Sequence, residues 1–220
     1  MRKHLSKHLK RYEVCSIILL TDIISLQLVS NKEAIVEQFA ATIHSFIPQC
    51  VQEYRDKETV LFYFENFDDL LTRENPLLHF TVSAWTMNPM RDQVLMVYHN
   101  IYRAWSWVGG HADGDGDFIR VAKKELVEET GLNAFDLVSP EPLSLEIVGV
   151  QGHEKRGEYV SSHLHLNLTY FFEAPQNQPL KIKLDENSGV AWRDVPLVKR
   201  DDTEKHMQMI YQKLLSRIGL

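Results

Sequence analysis

Cysteine is nearly missing from this chain: 220 residues hold two, Cys15 and Cys50. Thiols so few and so far apart offer neither a disulfide framework nor the paired spacing of a zinc site, which points to a reducing cytoplasm. Basic charge is in deficit as well. Lys and Arg number 24 against 30 Asp and Glu, for a net charge of −6. That balance excludes the broad basic face by which proteins grip a nucleic-acid duplex. Long hydrophobic runs are also absent. Val14 to Leu20 follows a basic start (Arg2, Lys3, Lys7, Lys10, Arg11), but the run is short and Thr21-Asp22 interrupts it. No small-residue cleavage site follows, and the segment is too broken for a membrane span. A cytoplasmic helix is expected there.

What remains is an ordinary globular chain, 44% hydrophobic and 25% charged, long enough for one substantial core plus an appendage. Ser30-Asn31-Lys32-Glu33 has the pattern of a helix capping box. Ile35, Phe39, Ile43 and Ile47 then recur every four residues, predicting an amphipathic helix that stops near Pro48. A second helix is expected from about Gln52 to Phe67, with Leu61, Phe62, Tyr63, Phe64 and Phe67 read as core. Residues 1–75 therefore form a helical extension packed on a main domain at 76–220.

Strand signals begin at Leu77. His79 to Met87 alternates, Asn88-Pro89 turns, and Val94 to Tyr98 follows. Trp105 to Val108 reads as a short strand, Leu143 to Val150 and Leu164 to Phe172 as long ones, and Val190 to Trp192 as another short one. Thr203 to Ile218 closes as a helix with Met207, Ile210, Leu214 and Ile218 on one face. Strands and helices mixed in this way predict an α/β (α+β) fold, a sheet covered on both sides.

The chemistry concentrates in Gly109-Gly110-His111-Ala112-Asp113-Gly114-Asp115-Gly116-Asp117, which runs into Phe118 to Leu132. A glycine-rich acidic loop feeds a short helix. Asp117 or Asp115 can cap its start and Gly131 can end it. Phe118, Ile119, Ala122 and Leu126 make an apolar stripe, and Glu125, Glu128 and Glu129 fall within an arc of roughly 100° beside it. Carboxylates that close repel, by about 4 kcal/mol for a pair at about 4 Å in an effective dielectric near 20. Full solvation relieves the repulsion, and so does a cation. Hard oxygen ligands on a rigid element suit Mg²⁺ or Mn²⁺.

This segment resembles the Nudix box, G-x5-E-x7-R-E-U-x-E-E-x-G-U with U a bulky aliphatic residue. Gly110, Glu125, Leu126, Glu128, Glu129, Gly131 and Leu132 meet seven of its nine fixed positions. Two positions depart from it: Gly116 stands where the pattern has Glu, and Lys124 where it has Arg. Lys124 keeps the charge without the planar fork that holds two partners at once. Asp115 and Asp117 flank the missing carboxylate.

The resemblance, from about Leu77 to about Val195, implies an α/β/α sandwich around a mixed sheet. It also implies hydrolysis of the diphosphate in a nucleoside diphosphate derivative, by water attack at phosphorus with Mg²⁺ or Mn²⁺. Glu125, Glu128, Glu129 and the carbonyl of Gly109 would hold the metal, the three glutamates serving as the catalytic set. Gly110, His111, Lys155, Arg156, His163 and His165 are the substrate-binding candidates. The general base falls to Glu129, or to Glu154 or Glu158 in the loop after Val150, with Asp185 and Glu186 as further acids of that kind. The expected partner is a small nucleotide substrate, with no nucleic-acid duplex and no membrane span. A homodimer is compatible with the family, although no single segment demands one.

Two other functions compete. Gly116 and Lys124 favour a catalytically weakened Nudix domain that serves as a nucleotide-binding or regulatory module. His163 and His165, at i and i+2 on one face of a strand, have the spacing of a metal-ligand pair. With His111 or His153 they would build a transition-metal site.

Overall fold

A computed structural model describes residue 37 and residues 40–155, 157–200 and 205–220. The capping box, Ile35, Phe39, Cys15, Arg156 and Thr203 lie outside the described residues. Residues 40–45 are helical. Then follow α1 (Val51–Asn66), β1 (Leu78–Met87), β2 (Gln93–His99), β3 (Ala104–Ser106), β4 (Val108–His111) and α2 (Phe118–Thr130). The chain continues with β5 (Asp136–Leu137), β6 (Ser144–Val150), β7 (His153–Lys155), β8 (Glu158–Val160) and β9 (His163–Glu173). It ends with β10 (Asn187–Asp194), α3 (Val195–Val198) and α4 (Lys205–Arg217).

The sheet is mixed. Its spine runs β10-β2-β1-β9-β5, with β3 on β2, β4 on β1 and β6 on β9. β1 and β9 are parallel along their whole length, from Leu78↔Leu164 to Met87↔Glu173; the other pairs are antiparallel. β1 meets β2 only at Met87↔Val94. Beyond that point the two separate, and β4 takes the vacated edge of β1. The sheet therefore forks, and the fork opens a cleft.

Alternation assigns β1 to two cores. Leu78, Phe80, Val82 and Ala84 face Phe118, Ala122 and Leu126 of α2 in one apolar cluster. Trp85 and Met87 face Tyr211, Leu214 and Leu215 of α4 in another. Helices thus cover both faces, as the sandwich expectation had it. On the α4 face the same strand changes character: His79, Thr81 and Ser83 are polar. The apolar packing stops there and the cleft begins.

The N-terminal segment differs from expectation in two respects. Ile47 lies beyond the helical residues and is 77% exposed, so it does not continue the Ile43 stripe. The aromatic cluster of α1 is split: Leu61, Tyr63 and Phe64 pack against the core, whereas Phe62 and Phe67 are exposed. The polar face of α1 has its own task. Gln52 donates to the Leu145 carbonyl at 3.2 Å, and Asp56 accepts from the Ile147 amide at 2.9 Å. Both groups belong to the edge of β6 that, among the described residues, no strand pairs, so the helix covers a sheet edge otherwise left open by them. Among the described residues no helix is long and apolar enough to cross a membrane.

Candidate active site in the forked sheet

The expected strand Trp105–Val108 is two strands, β3 and β4, broken at Trp107. The start of the glycine loop is itself strand: Gly109, Gly110 and His111 pair with Ser83, Val82 and Thr81. This close approach explains the glycines. A Cβ on Gly109 would lie 2.6 Å from the Val82 carbonyl, and one on Gly110 would lie 2.6 Å from Oε1 of Glu125. Only an unsubstituted backbone lets α2 bring its carboxylates this near to β4.

The loop then enters α2 through its aspartates. Asp117 caps the helix, accepting the Arg120 amide at 3.0 Å. Asp115 accepts the Asp117 amide at 2.9 Å and holds the Arg120 guanidinium with both oxygens, at 2.6 and 2.8 Å. The guanidinium keeps the Asp115 carboxyl below its ordinary range. Arg73 makes a similar two-point pair with Asp113. Gly131 ends the helix in the left-handed conformation, at φ 74°.

Oxygens of Glu125, Glu129 and Glu186 lie within 4.8 Å of one another. Burial, then the neighbouring Glu125 and Glu186, pushes the Glu129 carboxyl up to about 8, although the Gly109 amide at 3.4 Å pulls the other way. Burial likewise raises Glu125, against the pull of Lys124 and Lys183. Glu128 sits at the rim, 42% exposed, with Lys183 at 3.5 Å and Lys124 at 3.9 Å. Burial lowers the Lys183 ammonium, but the Glu186 hydrogen bond and the surrounding carboxylates outweigh it and raise the group. Lys183 lies 2.8 Å from Glu186.

Across the cleft the polar face of the sheet carries imidazoles. The β1–β9 register sets His79 beside His165, and the β1–β4 register sets Thr81 beside His111. The His79, His111 and His165 rings lie 5.0–5.2 Å apart. His163 is 4.9 Å from His165. Below them Thr81 and Ser83 each donate to Asn167 Oδ1 at 3.0 Å, and the Asn167 amide donates to Thr169 at 3.1 Å. Burial is the main reason that His111 drops to about 3 and His165 to about 2, with the adjoining imidazoles adding to it.

The cleft between these walls has a volume of about 990 Å³. Gly109, Gly110, His111, Glu125, Glu128 and Glu129 line it, as do Glu154, Lys155, His163, His165, Asp185 and Glu186. Glu158, exposed on β8, does not. The segment holding Glu154 and Glu158 is a β7–β8 hairpin rather than a plain loop.

Sequence reasoning missed His79 and Lys183. The His79-Thr81-Ser83 alternation on one face of a strand whose opposite-facing residues Leu78, Phe80, Val82 and Ala84 are apolar is a readable sign of a lined cavity. Lys183 has no local signal, since only the fold brings it to α2.

The Nudix-domain family model matches residues 77–214. A search of curated proteins finds no match. Among solved structures, the chain is similar to a hydrolase of the NUDIX family from Clostridium perfringens, with 19% identity over 64% of this chain and 98% of that one, TM-score 0.47. It is also similar to a C. elegans Ap4A hydrolase in a binary complex (12%, 64% and 97%, TM-score 0.47). A third is the NUDIX domain of Shewanella oneidensis NrtR complexed with ADP ribose (17%, 72% and 98%, TM-score 0.47).

Proposed function

The chain belongs to the Nudix family of hydrolases, and on that premise we propose that it cleaves the diphosphate of a nucleoside diphosphate derivative with the help of Mg²⁺ or Mn²⁺. The observation that carries this reading is the set Glu125, Glu129 and Glu186, three carboxylates converging within 4.8 Å in a largely buried place. A buried carboxylate raised to about 8 by burial and its like-charged neighbours is an unsatisfied anion site. Hard divalent cations satisfy such a site. Glu125, Glu129 and Glu186 would hold the metal, with Glu128 and the Gly109 carbonyl next to it. When bound, such an ion neutralises phosphate oxygens and lowers the pKa of a water.

The chain's own groups do the rest. Gly110 keeps the backbone low enough for Glu125 to reach the cleft. The Gly109 amide steadies Glu129. Lys183, fixed between Glu186 and Glu128, brings a positive charge toward the anionic substrate. Glu154 on β7 lines the cleft and is the general base we favour outside the box; Glu158 does not line it. Tyr102 and Trp105, on the wall formed by β3 and the turn before it, offer aromatic surface to a base. In the reaction, water adds to one phosphorus and the bridging oxygen departs with the other. Where the diphosphate joins two alcohols, two phosphate monoesters form, and when both are dianions the two hydrogens of the water leave as protons.

The test is a panel of nucleotide sugars, dinucleoside polyphosphates, NADH, ADP-ribose relatives and nucleoside triphosphates, assayed with Mg²⁺ and with Mn²⁺. The expected result is turnover of at least one diphosphate-linked compound, lost on chelation and in Glu129→Gln. Thermal stabilisation by a nucleotide with no product from any compound would instead support the binding-module reading.

A further inference from the structure

We propose that His79, His111 and His165 form a second metal site, built for a transition-metal ion of the zinc class and distinct from the carboxylate cage of α2. Three elements supply it. β1, β4 and β9 each place one imidazole on the same face of the sheet, with a ring nitrogen of each within 4.8 Å of the others.

Tautomers carry the argument further. Nδ1 of His79 lies 3.1 Å from the Asn75 carbonyl. A carbonyl only accepts, so Nδ1 bears the proton and Nε2 is left as a bare lone pair. That Nε2 is buried with no hydrogen-bond partner, on a residue 5% exposed. Burying an imidazole lone pair with nothing to receive it is costly. A Lewis acid in the trio removes the cost.

His163 repeats the pattern. Its Nδ1 lies 2.8 Å from the Ser161 carbonyl, so its Nε2 is a lone pair, which accepts from Nε2 of His165, 3.1 Å away. Backbone carbonyls thus fix the outer nitrogens of His79 and His163, as is usual for metal-bound histidine, and a metal entering the trio would displace the proton that His165 shares with His163.

Ligand type separates the two sites. Carboxylates select Mg²⁺ or Mn²⁺, while neutral imidazoles select zinc and its neighbours in the transition series. A phosphate suits the histidines poorly, since a lone pair facing the cleft repels an anion. Among the described residues Arg73 is the guanidinium that lines the cleft, and two hydrogen bonds tie it to Asp113.

The experiment uses the full chain, stripped with chelator, loaded with Zn²⁺, desalted and assayed for retained metal. A parallel titration with Co²⁺ is read by visible absorption. One zinc ion per chain should be retained, and Co²⁺ should give the intense bands of a low-coordinate nitrogen site. His79→Gln and His165→Gln should each weaken Zn²⁺ binding by about a hundredfold. Glu129→Gln, which disables the carboxylate cage, should bind Zn²⁺ as tightly as the parent. Should the histidine variants fail to fold, imidazole ¹⁵N spectra of the unaltered chain decide: Zn²⁺ must shift the resonances of His79, His111 and His165. Zinc washed out of the parent, imidazole resonances that do not move, or retention lost in Glu129→Gln and kept in the histidine variants overturns the proposal.

Discussion

At the scale of single residues, the site is built from groups held away from their ordinary charge. Glu129 has the largest consequence. Its carboxyl rises from an ordinary 4.5 to about 8 in the fold, chiefly through burial. The unfolded chain ionises this group near 4.5 and the folded chain resists until about 8, so the metal-free protein loses stability as pH climbs through that window and levels off above it. A divalent ion needs the ionised form. Below about pH 8 its binding therefore expels a proton, and its affinity rises with pH. Melting curves in EDTA and in Mg²⁺ between about pH 5 and 9 should diverge as pH increases, and Glu129→Gln should remove the divergence. Parallel curves across that range would mean that Glu129 does not meet the metal. The histidines show the opposite sign of the same physics. His111 and His165 are held neutral to about 3 and 2, so they stand ready as lone-pair donors at any ordinary pH.

At the scale of elements, the question is what steadies α2 and its loop when Gly116 and Lys124 replace the family's Glu and Arg. Lys124 is 60% exposed and reaches Glu125 and Glu128 only at 3.8 and 3.9 Å. The two-point pair between Arg120 and Asp115 ties the loop to the first turn of the helix instead. Arg120→Gln should therefore lower turnover by about tenfold, as loss of an outer brace does around metal ligands, while the melting temperature barely moves. Unchanged turnover would place the brace elsewhere.

Elements of this kind were legible in the sequence because their signals are local. The α2 stripe, the Asp117 cap and the Gly131 stop are written within fifteen or so consecutive residues, and β1, β6 and β9 announce themselves by length and alternation. What escaped was whatever depends on pairing. β4 extends into the glycine loop because β1 offers it an edge, β10 runs beyond Val190–Trp192 because β2 pairs its full length, and the β7–β8 hairpin is too short to show a period. Glu186 was legible only as one acid among several, and its place beside Glu125 and Glu129 comes from the strand that follows it. His79 meets His165 because β1 and β9 run parallel, a relation that no spacing in the chain encodes.

At the scale of the whole molecule, a buried set of charges joins α1 and α4 to the floor of the cleft. Glu53 of α1 is fully buried and paired with Lys213 at 3.2 Å and with Arg217, both on α4. Lys213 also reaches Glu146 of β6 at 2.7 Å. Glu146 in turn accepts from Ser144 and, at 3.5 Å, from the Asn167 amide that organises Thr81 and Ser83 beneath the imidazoles. Two carboxylates and two cations balance, so the cluster is tolerable in a low-dielectric interior only while it is complete. We propose on this basis that α1 is integral to the folded domain rather than an appendage to it. Glu53→Ala leaves Lys213 and Arg217 short of a partner in the interior and should cost about 3–5 kcal/mol in urea unfolding. Exposing part of the β6 edge should accompany that loss, because Gln52 and Asp56 sit on the same helix. Hydrogen exchange separates the outcomes. The Ile147 amide, held by Asp56, should lose protection in Glu53→Ala while the β1–β9 ladder keeps its own. A loss of a few tenths of a kcal/mol with Ile147 still protected would show that α1 holds its place without this charge set.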